Sequence, residues 1–221
     1  MASHLDLDEQ EQLDQFKHFW NRWGNLISGL LAVALVLYAS YNGWQYWQQR
    51  QAAQAAELYD TFEKAAREAD IARLGRSLSD LQTQFGKTAY AQQASLLAAR
   101  IHVGKNNLND AEKALQWEID NGTEDGYVAI ARLRLSALEI ERKNLEKAKS
   151  LLQGQKAPTG FQPLFDDRLG DIAMMQNKPD DAKSLFLSAW KGMEASSDYR
   201  RLIEVKLATL GVATGEDESK Q

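Results

Sequence analysis

No charged residue stands between Arg22 and Arg50, and this gap constrains the chain more than any other feature. Within it runs Leu26-Ile-Ser-Gly-Leu-Leu-Ala-Val-Ala-Leu-Val-Leu-Tyr-Ala-Ser-Tyr41. A bilayer hydrocarbon core takes about 20 helical residues to cross, and the stretch from Leu26 to Trp44 meets that need. Trp20 and Trp23 stand at one end, and Tyr41, Trp44, Tyr46 and Trp47 at the other. Amphipathic rings favour the membrane–water interface. A buried core helix has no use for aromatic belts at both ends, so the segment reads as a membrane span.

A cleavable signal peptide begins with basic residues and ends at small ones. Here Asp6, Asp8, Glu9, Glu11 and Asp14 come first, and the exit is bulky and aromatic. A retained anchor is expected. Lys17 and Arg22 before the span outnumber Arg50 just behind it, which favours a cytoplasmic N-terminus. Gly24, Ser28 and Ala32 recur at four-residue steps and form a candidate packing face for another membrane helix.

From Trp47 onward the apolar spacing is helical, and strand signals are poor. Three segments align without gaps. In each, a small residue (Ala99, Ser136, Gly170) precedes an alanine (Ala111, Ala148, Ala182) by twelve positions. A large apolar residue (Leu115, Leu152, Phe186) follows that alanine four positions later. The alanines are 37 and 34 residues apart. Polar turns lie between the two helices of each unit: Lys105-Asn-Asn, Arg142-Lys-Asn and Gln176-Asn-Lys.

The spacing predicts helix–turn–helix units. The small residue on the first helix, A, lets the second, B, come close, and the large residue fills the gap beside them. This is the tetratricopeptide pattern, degenerate here because the early tryptophan and the closing proline are missing. The expected fold is all-α: a single N-terminal transmembrane helix followed by a degenerate TPR-like α-solenoid. Its expected divisions are an acidic cytoplasmic segment over 1–22, the transmembrane helix over 23–47, the repeat domain over 48–211 and a disordered acidic tail over 212–221. Residues 52–69 and 71–85 suit an extra, non-consensus pair. Asp198–Leu210 suits a capping helix, which a solenoid end needs.

Chemistry is harder to find. The chain has no cysteine, which removes disulfides, cysteine zinc sites and thiol catalysis. A net charge of −5 without a basic cluster argues against nucleic acid. Gly86-Lys-Thr lacks the upstream glycine and strand of a phosphate loop. His102 reads as a structural histidine. Asp166-Asp167 and Asp180-Asp181 read as helix-start acids that complement the macrodipole. No catalytic residue, cofactor or metal site is expected. A solenoid's concave face comes mainly from its A helices. Counting from the small residue of each unit nominates Leu96, Arg100, Val103, Leu133, Ile140, Asp171 and Met174 for partner binding.

The run Phe16-Lys-His-Phe-Trp-Asn-Arg-Trp-Gly-Asn25, the span ending Gly43-Trp-Gln-Tyr-Trp-Gln48 and the degenerate repeats together resemble the YfgM-type ancillary subunits of the bacterial Sec translocon. The resemblance implies an inner-membrane protein of Gram-negative bacteria with periplasmic repeats. As partners it implies the SecYEG translocon and a membrane-anchored periplasmic chaperone of the prolyl-isomerase type. It also implies a part in passing newly translocated proteins to periplasmic chaperones. The expected function is thus a membrane-anchored adaptor and not an enzyme. Two rivals stay open at this point. One is an anchor that sequesters a cytoplasmic signalling regulator through residues 2–20; the other is a cell-envelope or division coordinator.

Overall fold

The computed structural model describes residues 7–214, with side chains from Phe16 onward. Expectations that fall on residues 1–6 and on the acidic tail beyond Thr214 lie outside the described residues. The described residues form nine helices and no strand, as the repeat spacing predicts. The chain divides into two compact units, Met1–Gln51 and Ala52–Gln221.

The described part of the first unit lies within α1 (Leu7–Arg67), a helix of 61 residues. From Phe16 to Arg50 every side chain is exposed, and only Gly24 is covered. Leu30, Val36, Leu37 and Tyr38 are each more than 60% exposed. An apolar surface of this extent has no stable place in water. The helix is long and apolar enough to cross a membrane. The ring of Trp44 packs on that of Trp47 at 5.5 Å, and the Arg50 guanidinium lies 5.9 Å from the Tyr46 ring. The polar exit of the apolar stretch is therefore built from aromatic faces and one cation.

In the second unit the C-terminal part of α1 is followed by α2 (Ile71–Gln84), α3 (Ala89–Gly104), α4 (Leu108–Asn121), α5 (Asp125–Glu141), α6 (Leu145–Ser150), α7 (Gln162–Met175), α8 (Pro179–Gly192) and α9 (Asp198–Thr209). Each B helix packs on the A helix after it (α2 on α3, α4 on α5, α6 on α7), while α3, α5 and α7 stack as successive A helices. The B helix of the second consensus repeat, α6, is short. It gives way to a loop through Gly154, whose φ of +75° continues no helix.

The pair expected over 52–69 and 71–85 closes as the three repeats do. Ala69, Asn106, Lys143 and Asn177 all take a left-handed backbone, with φ between 56° and 63°. The residue after each returns its N–H to a carbonyl five positions back: Asp70 to Ala65, Asn107 to His102, Asn144 to Glu139 and Lys178 to Ala173, at 2.8–3.0 Å. This is the Schellman closure, which satisfies carbonyls at a helix C-terminus. The pair α1–α2 thus ends and restarts as the three repeats do. Its core joins theirs: Phe62, Ala65, Leu74 and Leu81 are fully buried in the cluster that also holds Ala99, Ala111 and Leu115.

Two of these left-handed positions carry side chains that disfavour the conformation. A Cβ there costs about 1–2 kcal/mol in backbone energy, partly offset by the freedom glycine has when unfolded. Lys143→Gly is therefore expected to raise stability by about 0.5–1 kcal/mol. A thermal midpoint equal to or below that of the unsubstituted chain would contradict the assignment of this turn.

Candidate functional site

The repeat-packing positions are all buried. Ala111, Ser136, Ala148 and Ala182 are 0% exposed, and Ala99, Leu115, Leu152 and Phe186 at most 2%. Gly170 shows why a small residue stands there: a Cβ added to it would lie 2.5 Å from Cε1 of Phe186. These residues are thus committed to the interior and leave the remaining faces of the A helices open.

There the positions nominated from sequence separate. Arg100, Val103 and Met174 are exposed, whereas Leu133 and Ile140 are half-buried. Leu96 is a correction. Its side chain is 7% exposed and lies in the core cluster. Its backbone carbonyl is used toward α5, accepting from Nη1 of Arg134 at 3.0 Å. Asp171 is occupied: Nζ of Lys206 on α9 donates to it at 2.7 Å. In the first unit Gly24 is covered by its own helix, since a Cβ there would lie 3.1 Å from Nε1 of Trp20. Ser28 and Ala32 stay exposed, so the small-residue stripe is open along its later part only.

A second correction concerns the paired acids. Asp180 and Asp181 do lie in the first turn of α8. Asp166 and Asp167 lie deeper in α7 and are buried. Asp166 accepts from Gln162 at 2.7 Å and from Ser188 at 2.6 Å. Asp167 accepts from Tyr199 at 2.7 Å and from Lys206 at 2.8 Å. These bonds tie α7 to α8 and α9, and buried charge of this kind stands only when fully paired. A similar network joins the first two consensus hairpins. Glu139 is fully buried and accepts from Asn144 and Lys147 at 2.8 Å each. Glu112 on α4 takes Lys147 and Arg142 from the next hairpin. The hydrogen bonds from Lys147 and then Arg142 hold the Glu112 carboxyl below its ordinary pKa.

The face left over carries arginine. A hollow of about 390 Å³ is lined by Glu63, Ala66, Arg67, Leu97, Arg100 and Ile101, from the end of α1 and from α3. Arg67 is paired with Glu63 at 3.2 Å. Arg100 has no hydrogen-bond or ion-pair partner among the described residues. Its neighbour on the next A helix is Arg134. Burial pushes the Arg134 guanidinium down from its ordinary pKa, and the positive charge of Arg100 adds to the shift. Arg134 escaped the counting from small residues, which places Leu97 and not Arg100 opposite it. The signal that finds it is simpler: Arg100, Arg134 and Arg168 are each 34 residues apart. Among the described residues no group of acids and histidines is placed to hold a metal ion.

A family model described as a tetratricopeptide repeat-like domain matches residues 17–212. The ancillary SecYEG translocon subunit of Neisseria gonorrhoeae (strain ATCC 700825 / FA 1090) is 31% identical over 211 residues, covering 95% of this chain and 100% of that protein. The chain belongs to this family. The matched region begins before the apolar stretch and ends beyond α9, so anchor and repeats belong to the family together. A membrane-anchored protein with a TPR-like repeat domain is what family and α1 jointly describe.

Proposed function

We propose that this protein is a membrane-anchored adaptor at the SecYEG translocon, with its repeats in the periplasm. It would help pass newly translocated proteins to periplasmic chaperones, with a membrane-anchored prolyl-isomerase-type chaperone as a second partner. The observation that carries this reading is the match along the whole length of an ancillary SecYEG subunit. The exposed apolar surface of α1 supports an inner-membrane anchor, and the basic residues Lys17 and Arg22 before the span support a cytoplasmic N-terminus. Tethering brings the repeats near a channel in the same membrane, where effective concentrations of the order of mM become available.

Two measurements test the proposal. The chain has no cysteine, so a single one can be introduced at Lys156, on the exposed loop after α6. A membrane-impermeant maleimide is expected to label it in intact spheroplasts. Labelling only after lysis would put the repeats in the cytoplasm and favour a regulator held at the membrane. A photo-crosslinker at Ser28 in native membranes is expected to capture a SecYEG subunit. Failure to capture one from Ser28 and from Arg100 alike would remove the translocon from the proposal.

A further inference from the structure

We infer that the A-helix face carrying Arg100 and Arg134 binds an extended segment of a partner protein through that segment's acidic side chains. The inference rests on the adaptor reading and names the chemistry of what the repeats hold. The chain has 31 acidic and 26 basic residues, so acids are plentiful. Arg67, Arg73, Arg142 and Arg201 each have one as a partner. Arg100 has none among the described residues, yet it stands close enough to Arg134 for the two charges to oppose each other. Both arginines are exposed, so the opposition of their charges is mild in water and grows as a docked chain excludes water.

The Leu96 carbonyl accepts from Nη1 of Arg134 at 3.0 Å and so orients that guanidinium. Its remaining N–H groups are available. A carboxylate placed between the two guanidiniums would relieve the repulsion and accept charge-assisted hydrogen bonds from both. The surroundings select the rest of the ligand. Leu97 and Ile101 line the adjoining hollow, and Val103 is 45% exposed one helical turn beyond Arg100. Apolar side chains flanking an acidic one fit this surface. A small free anion would leave the apolar part unused. An extended chain offers both kinds of side chain without first giving up structure of its own.

The experiment uses the full chain in detergent and a fluorescein-labelled eight-residue peptide of alternating leucine and glutamate. Anisotropy is expected to show binding roughly ten-fold or more tighter than for the same peptide with glutamine in place of glutamate. Arg100→Gln should abolish that difference. Because Arg100 is exposed and unpartnered, folding is not at stake, and an unchanged thermal midpoint would verify this. Arg100→Glu should shift the preference toward the lysine version. Equal affinity for the glutamate and glutamine peptides, or a preference that survives Arg100→Gln, would overturn the inference. Deleting residues 215–221, which include Glu216, Asp217 and Glu218, is expected to change nothing. A ten-fold gain in affinity on that deletion would assign the site to the chain's own tail and overturn a partner segment. The SecYEG crosslink is scored separately: its absence with acid preference intact defeats the translocon reading, and the converse defeats only this one.

Discussion

Gly170→Val is expected to lower the stability of the repeat unit by about 3 kcal/mol, at the upper end of what overpacking usually costs. In an ordinary helix interior, replacing glycine by a residue with a Cβ is favourable by up to about 1 kcal/mol. Here the sign reverses. The first added carbon would meet Cε1, Cδ1 and Cζ of Phe186 at 2.5–2.9 Å. The Phe186 ring is 2% exposed and sits in a cluster with Ala173, Ala182, Ala189, Ile203 and Leu207, so it has little room to withdraw. The helices α7 and α8 must separate, or the ring must leave its rotamer. For a domain of this size the loss corresponds to a fall in thermal midpoint of roughly 6–12 °C, readable by circular dichroism on the full chain in detergent. Adding Phe186→Leu to the same chain should recover part of the loss, because the two substitutions act on one contact and are not additive. A midpoint unchanged by Gly170→Val would mean that α7 and α8 do not meet where the structure places them.

The same residue shows what kind of information was legible in the chain. A glycine twelve positions before an alanine, repeated with small residues in two other units, states that two helices approach closely. Side-chain size alone carries that message, so the three consensus hairpins and the capping helix α9 could be read from spacing. The pair α1–α2 was legible as two helices over 52–69 and 71–85, but not as a hairpin closed like the repeats. Its turn uses Ala69, which announces no left-handed backbone as asparagine or glycine would. Leu96 and Leu97 are neighbours about 100° apart on α3, and only the packing of the surrounding helices decides that Leu96 goes inward. Asp167 looked like a surface acid because its partner, Lys206, lies 39 residues away. Arg134 was invisible to any count made from the small residues, since its importance comes from a like charge on another helix.

Glu118 was legible in position but not in consequence, and it gives the second large expected effect. It follows Ala111, Ala114 and Leu115 at helical spacing, and this puts it on the buried face of α4. Its side chain is 0% exposed, and neither carboxylate oxygen has a hydrogen-bond partner. Burial pushes its pKa from the ordinary 4.5 up to about 7. The folded chain therefore holds a proton that the unfolded chain has already released between these two values. Stability must then fall as pH rises through that interval and level off above it. The whole shift corresponds to about 3 kcal/mol. Glu112 and Glu139 have lowered pKa values and work the other way, but below their ordinary range, so the two effects occupy different windows. Asp171, raised by burial, adds to the fall with the same sign, so the comparison must be made against a variant. In Glu118→Gln the buried group stays polar and keeps nearly its shape, but cannot ionise. The variant should match the unsubstituted chain near pH 5 and exceed it by about 2–3 kcal/mol at pH 8. Thermal unfolding of both proteins across this range, followed through the fluorescence of the adjacent Trp117, measures the difference directly. Parallel pH profiles for the two proteins would show that Glu118 reaches water or a partner, and would remove the unpaired buried carboxyl from the account of the first repeat.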